Sequence, residues 1–314
     1  MKLQQLSTQT ASSTPELRSL ALSAFESEAP LFRYAEWYKM TGNADTFTTN
    51  ATAFGGQTRT VNNDYSPVTS SVNETTVSLK ILGDVIRTDQ AFERRGFTTT
   101  SERARQLESF SRSLGRFCTD QFINGDGSGS TLVGIKELIP SGQIISMGTN
   151  GDTVPLGNSD SNKQKQQTFL EKLDELIGSV YGNASVIVMN YKMIARLRAI
   201  AREYISVQTV NDAFGSQQVF DSYMGIPIVS SGVAKDGVSQ VITNAETVGT
   251  NADCTSIYAI RFGEKENLSI ATNTGLQVYD RGIVGVHYVT TVELDAAIAL
   301  VHSKSIAQLE GIRL

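Results

Sequence analysis

Residues 41–78 read TGNADTFTTNATAFGGQTRTVNNDYSPVTSSVNETTVS, and their composition decides how the rest of the chain must be arranged. Ten threonines stand among only four charged residues, Asp45, Arg59, Asp64 and Glu74. Thr and Val favour extended backbone. Phe47, Phe54, Val61, Tyr65 and Val68 are too sparse to bury a sheet face against the chain's own core. Gly55-Gly56 and Asn62-Asn63-Asp64 supply turns, and on the return limb Val77, Leu79 and Ile81 alternate with Ser78 and Lys80. The pattern predicts a long two-stranded arm. A ribbon of two strands is marginal in water by itself, so it needs another surface to lie on, and a second copy of the chain is the simplest one.

The rest of the chain has the means to fold. It is 314 residues long, 40% hydrophobic and 19% charged, an ordinary apolar fraction for a globular protein, with room for one large domain or two small ones. No run of about 18 apolar residues occurs and the first residues lack the apolar core of a secretory signal, so the expectation is a soluble intracellular product with no membrane partner. Cys118 and Cys254 are too far apart in sequence and too few to form a metal site, and read as buried thiols. The net charge of −5 argues against a protein that grips nucleic acid through clustered cations.

Helical periodicity appears on both sides of the arm. Thr14-Pro15-Glu16 is a helix start, with Leu17, Leu20, Ala21, Ala24 and Phe25 following at helical spacing. Thr99-Thr100-Ser101-Glu102 has the spacing of a capping box. It opens a helix of about 23 residues whose apolar stripe is Ala104, Leu107, Phe110, Leu114, Phe117 and Phe122, and Asn124-Gly125-Asp126-Gly127 ends it. Residues 140 to 167 read as a loop or insertion. A second helix carries Phe169, Leu170, Leu173, Leu176, Ile177 and Val180. A strand from Ser185 to Met189 follows, and then a third helix capped by Asn190. The later strand candidates are Ile226 to Ser230, Val238 to Thr243, Ser256 to Arg261, Leu276 to Tyr279, a near-continuous run from Ile283 to Val292, and Ala296 to His302.

Sites for chemistry are sparse. Gly125-Asp126-Gly127-Ser128-Gly129 closes a helix, whereas a phosphate-binding loop opens one. As a calcium loop it would place Ile135 where a bidentate Glu is required. His287 and His302 are the two imidazoles, and neither stands in a Gly-x-Ser-x-Gly or His-x-x-x-His context. Glu293 and Asp295 share one strand face and read as solvated charge. Arg94-Arg95 with Arg103, Arg105, Arg112 and Arg116 interleave with Glu102, Glu108 and Asp120, and mixed signs favour ion pairs between subunits. The reading is no enzyme, with no catalytic residue, cofactor or metal ligand.

Four features in this order resemble the major capsid proteins of tailed bacteriophages, the fold named after phage HK97. They are the Thr-rich arm of 41 to 87; the long helix ending in Phe122-Ile123-Asn124-Gly125-Asp126-Gly127-Ser128-Gly129 with Leu132-Val133-Gly134-Ile135 after it; the helix-strand-helix around Val186-Ile187-Val188-Met189-Asn190; and Met224-Gly225-Ile226-Pro227-Ile228-Val229. The resemblance spans residue 14 to the end. It implies an α+β, HK97-like capsid fold with a long spine helix, a peripheral β-sheet, an extended β-hairpin arm and an α/β axial domain. The segments would be 1–40, an N-terminal arm and helix; 41–87, the extended loop over a neighbour; 88–167, the peripheral domain with its spine helix at 99–124; 168–280, the axial domain; and 281–314, a return to the peripheral domain.

The resemblance further implies a subunit that self-assembles into pentamers and hexamers of an icosahedral phage head. Such a head is assembled in the host cytoplasm and encloses double-stranded DNA without specific binding. Partners would be copies of itself, a portal, a separate scaffolding protein and a decoration protein. A separate scaffold is expected because only about 13 residues precede the helix at Pro15. An encapsulin nanocompartment shell is the alternative of the same fold, and a soluble hydrolase or binding protein the alternative of another class. The residues expected at inter-subunit contacts are Phe47, Phe54, Arg59, Tyr65, Arg94, Arg95, Glu102 and Arg105. Some relatives join a Lys and an Asn covalently, and Lys80 at the base of the arm is the position to inspect for such a donor.

Overall fold

The computed structural model describes residues 1–9, 15–50, 56–67, 72–96, 99–157, 159–200, 205–211 and 217–314. The chain opens with α1 (Leu3–Gln9), α2 (Pro15–Glu28) and the short strand β1 (Trp37–Lys39). Pro15 is the first helical residue of α2, where its missing N–H costs nothing. The expectation that about 13 residues precede the first helix is corrected: α1 is itself helical, and Leu3 and Leu6 are buried in the main core. With two apolar anchors in seven residues, α1 offers too little periodicity to be read from sequence.

The arm follows as β2 (Ala44–Asn50) and β3 (Val72–Ser78), and the chain then runs through β4 (Lys80–Asp89) and α3 (Ala91–Arg94) into the 26-residue helix α4 (Thr99–Asn124). This long helix lies on α2. Its buried stripe is Leu107, Ser111, Leu114, Gly115, Cys118, Thr119 and Phe122, a row at helical spacing rotated from the expected one toward its small members. Phe110 and Phe117 flank it, half-buried. Small side chains let two helix backbones approach, and hydropathy does not register that property. The expected capping box rests on side chains outside the described residues at 99–101. The Glu102 carboxylate accepts from Arg105 and Gln106.

Next come α5 (Ile135–Leu138), β5 (Ile144–Ser146), β6 (Asp152–Thr153), α6 (Asp160–Ser179), β7 (Val186–Met189) and α7 (Tyr191–Ile200). The loop expected over 140–167 is therefore corrected. Two short strands there pair in parallel with the last strand of the chain, and the polar run from Asp160 is the exposed start of α6, capped by Ser159 accepting from the Asn162 N–H. Lys and Gln are good helix formers, but without apolar residues they show no period. The Asn190 cap is present: its Oδ1 accepts from the Met193 N–H at 2.8 Å, while Nδ2 donates to Asn244 and Thr255.

The remaining strands are β8 (Ile205–Asn211), β9 (Gln217–Tyr223), β10 (Ile226–Ser230), β11 (Glu246–Val248), β12 (Asn251–Ile260), β13 (Leu268–Thr272), β14 (Leu276–Val284), β15 (His287–Leu300) and β16 (Ile306–Arg313). Two sequence readings are corrected here. Residues 238–243 are irregular backbone around a turn, bridged only at Val233–Gln240. The run from Ile283 to Val292 is a hairpin rather than one strand, with β14 ending at Val284 and β15 starting at His287.

Among the described residues the strands form three sheets. A nine-stranded sheet has the path β5-β16-β12-β7-β10-β9-β8, with β6 on β16 and β11 on β12. Both of its faces are covered at the centre. Ile187, Met189, Ala259 and Leu309 pack with Phe169, Leu173 and Leu176 of α6 and Met193 and Leu197 of α7. Val186, Val188, Tyr258 and Ile260 face the core built by α2 and α4. Burial on both faces is why β7 reads as an unbroken apolar run. A five-stranded sheet runs β1-β13-β15-β14 with β4 also on β15, and the arm makes a two-stranded sheet of its own. The boundary expected at residue 280 does not follow these sheets. Strands β13 and β14 belong with β15, and β16 lies in the nine-stranded sheet beside β12; the β13–β15 and β12–β16 partners are too distant in sequence to leave a local signal.

Candidate functional site

The arm is a regular antiparallel ladder from Ala44↔Ser78 to Asn50↔Val72. Six residue steps at 3.3 Å make it about 20 Å long. Its base is held by its own chain. Phe47, Val77 and Leu79 pack against Tyr38, Met40, Ala297 and Ala299, with the Phe47 and Tyr38 rings edge to face at 6.0 Å. Phe47, expected at an inter-subunit contact, packs half-buried against its own subunit. Beyond the ladder, every described residue from 56 to 67 is exposed, Val61 to 87% and Tyr65 to 60%.

This outer loop carries its own local order. Asn62 takes a positive φ of 70°, a conformation Asn tolerates in turns. Asn63 donates to Thr60, Ser66 N–H donates to Gln57, and the Arg59 guanidinium sits 5.5 Å from the Tyr65 ring centre. Arg59 and Tyr65 are therefore together at the arm's outer end. Phe54 lies outside the described residues.

At the arm's root, Lys80 donates to the Gly129 carbonyl at 2.6 Å, which ties β4 to the turn that ends α4. Gly125 and Gly134 are demanded by that turn. A Cβ on Gly125 would stand 2.4 Å from the Leu132 carbonyl oxygen, and one on Gly134 would stand 2.6 Å from the Gly125 nitrogen. Asp126 holds the turn from within, accepting from Thr131 Oγ1 and from the Ser128 N–H and hydroxyl. These donors, Thr131 foremost, hold its carboxyl down to about 2.

Among the described residues, charges on α4 form ion pairs within the chain. Glu102 pairs with Arg105, Arg112 with Glu108, and Arg116 with Glu28. Arg105 reaches Glu102 through two nitrogens and, with Gln106, holds that carboxyl down to about 2. One long-range contact escaped the sequence reading. Arg103 pairs with Asp280 at 2.8 Å, donates to Thr290 and lies 5.1 Å from the Tyr288 ring centre, fastening the start of α4 beneath the β14–β15 hairpin. Nothing near Arg103 in sequence signals it. Arg94 ends α3 with its side chain outside the described residues, and Arg95 is exposed just after it.

The two histidines sit near opposite ends of β15, separated by 15 residues or roughly 50 Å of extended chain, so they share no site. His302 accepts from the Lys304 N–H and stacks on Tyr181 at 5.1 Å. His287 pairs across the sheet with Asp89 and Val284. Among the described residues no group of three His, Cys, Asp or Glu side chains could hold a metal, and no helix is long and apolar enough to cross a membrane. Both cysteines are buried free thiols.

The fold itself is shared with solved structures. The encapsulin of the holo-SrpI complex from Synechococcus elongatus PCC 7942 superposes with a TM-score of 0.61 at 16% identity, over 91% of this chain and 88% of that one. The capsid of a native GTA particle gives 0.59 at 18% identity, over 91% and 90%, and the capsid of Myoviridae phage XM1 gives 0.54 at 13%, over 90% and 92%. No protein-family model matches the sequence, and no curated protein matches it. At such identities the likeness establishes the architecture: this chain has the HK97-like α+β fold found in phage capsids and encapsulin shells.

Proposed function

We propose that this chain is a non-enzymatic shell subunit that assembles with copies of itself. The observation that carries the reading is the outer loop of the arm, whose twelve residues from 56 to 67 are all exposed. Conformational entropy opposes ordering such a segment, and its own core supplies no burial to offset that. A neighbouring copy supplies the missing surface, and repetition of small contacts around a closed shell multiplies their effect.

In its finer form the proposal is a phage major capsid protein. Segment 41–87 is the loop over a neighbour and α4 the spine, while the α6–β7–α7 unit belongs to the part that meets around the symmetry axes of pentamers and hexamers. The shell encloses double-stranded DNA, and the net charge of −5 suits contents that must slide rather than stick. Portal, separate scaffold and decoration protein are the further partners of this reading. The encapsulin likeness supports the same shell chemistry around a protein cargo instead.

The test is to express the chain with and without residues 45–78 and examine both by sedimentation and negative-stain microscopy. The intact chain is expected as capsomers or closed shells and the deletion as a monomer. An intact chain that sediments as a 34.0 kDa monomer, or a deletion that assembles normally, defeats the proposal. Nucleic acid or a co-packaged enzyme in shells from the native source separates the two contents.

A further inference from the structure

The outward face of the sheet made by β4 and β15 is covered at Ala297 and Ala299 by the arm's own base, and next to that base it carries exposed apolar side chains. Antiparallel pairing sets Ile81 beside Asp295, Gly83 beside Glu293 and Val85 beside Thr291. Ile81 is 70% exposed and Val85 44% exposed. Gly83 lies so close to the β15 backbone that a Cβ would stand 2.2 Å from the Val292 carbonyl oxygen.

Glu293 and Asp295 are half-buried, and no hydrogen bond or ion pair reaches either carboxylate among the described residues. Their spacing implied solvated charge, and here they keep only part of their solvent exposure. Burial raises the Asp295 carboxyl above its usual range. A half-buried unpaired carboxylate is costly until a cation meets it. The face calls for one cation flanked by apolar side chains on an adaptable segment.

The outer loop of the arm has that composition. Arg59 is the single cation between residues 41 and 78, and Val61 and Tyr65 are exposed beside it. Among the described residues, Arg59 donates to the Asn63 carbonyl and lies over the Tyr65 ring. We propose that the outward β4–β15 face receives the arm loop of a second copy, with Arg59 of that copy between Glu293 and Asp295 and its Val61 and Tyr65 over Ile81 and Val85. This rests on the self-assembly reading and specifies where the arm lands.

The test uses the full chain assembled alone. In R59C/D295C, oxidised glutathione accepts the two electrons released as two thiols become a disulfide. The product expected on a denaturing, non-reducing gel is a ladder of covalent multimers. Wild type supplies the blank, since Cys118 and Cys254 are buried. In parallel, R59E lies in an exposed loop and leaves the subunit folded. It is expected to raise the concentration needed for assembly about tenfold, as loss of a close interfacial charge pair does, and E293K/D295K combined with R59E is expected to recover it. Shells that form without a ladder, or an R59E protein that assembles like wild type, overturn the landing site and leave that face to a different partner. In that event an arm deletion that still abolishes assembly leaves the shell reading standing. An intact chain that stays monomeric overturns both.

Discussion

Gly115 of α4 lies directly against the carbonyl of Phe25 on α2: a Cβ on Gly115 would stand 2.6 Å from that oxygen and 3.5 Å from the Ala29 side chain. Ser111, Gly115 and Thr119 line the buried side of α4, and Phe25 packs in the core that Leu114, Cys118 and Phe122 complete. A helix interior ordinarily loses about 1 kcal/mol to a glycine. Here the close approach of two backbones offsets that loss.

Gly115→Ala is accordingly expected to destabilise the subunit. Overpacking a close contact costs about 1–3 kcal/mol and outweighs the gain in helix propensity. Thermal denaturation should show a lower midpoint. A higher one would mean that α2 and α4 are not in contact at this point.

The turn after α4 should be acid-sensitive. The folded Asp126 carboxyl is depressed to about 2 and the unfolded one is ordinary at about 4. Its contribution is therefore complete above about pH 4 and disappears as pH falls toward 2. The protection of the Gly127 and Gly134 amides relative to their intrinsic exchange rates, where the N–H groups donate to Leu132 and Gly125, is expected to fall across that window. Asp126→Asn should show fast exchange already at neutral pH, and an unchanged exchange rate in that variant would refute the assignment.

Arg103→Ala removes an ion pair, a hydrogen bond and an aromatic contact at once. Asp280 is about a third exposed, so screening limits the ion pair to under about 1 kcal/mol. The whole substitution is expected to cost about 1–2 kcal/mol, with the deficit shrinking in high salt. A urea titration at two salt concentrations checks both statements, and a loss independent of salt would place the effect in packing alone.

Phe47→Ala should loosen the arm without unfolding the subunit. The ring it removes is half-buried on Tyr38. Exchange in β2 and β3 is expected to rise while β7 and β12 stay protected. Equal acceleration in all four strands would show that the arm is not an independent unit.

How much of this was legible depended on period and locality. The long helix, the α6–β7–α7 unit and the Asn190 cap each carry their information within one or two turns of chain, and each stands where the residues indicated. The start of α6 did not show because Lys163, Gln164 and Gln166 make good helix without making a stripe. The pairings of β13 with β15 and of β12 with β16 did not show because register between strands tens of residues apart is written in no local pattern. Among the residues expected at inter-subunit contacts, Phe47 packs at the arm's root, Glu102 and Arg105 satisfy each other, and Arg59 and Tyr65 stand free of the core on the outer loop.

From the residues alone came a Thr-rich segment with too few apolar groups to fold on itself, a long amphipathic helix and the glycine turn that stops it, because each is a matter of composition or spacing within one stretch. Only the tertiary structure decided that the small face of α4 meets Phe25, that Arg103 finds Asp280, and that Glu293 and Asp295 stand half-buried with no cation paired to them among the described residues. Those three depend on which distant strands and helices are brought side by side, and that is set by the burial of the whole chain rather than by any segment of it.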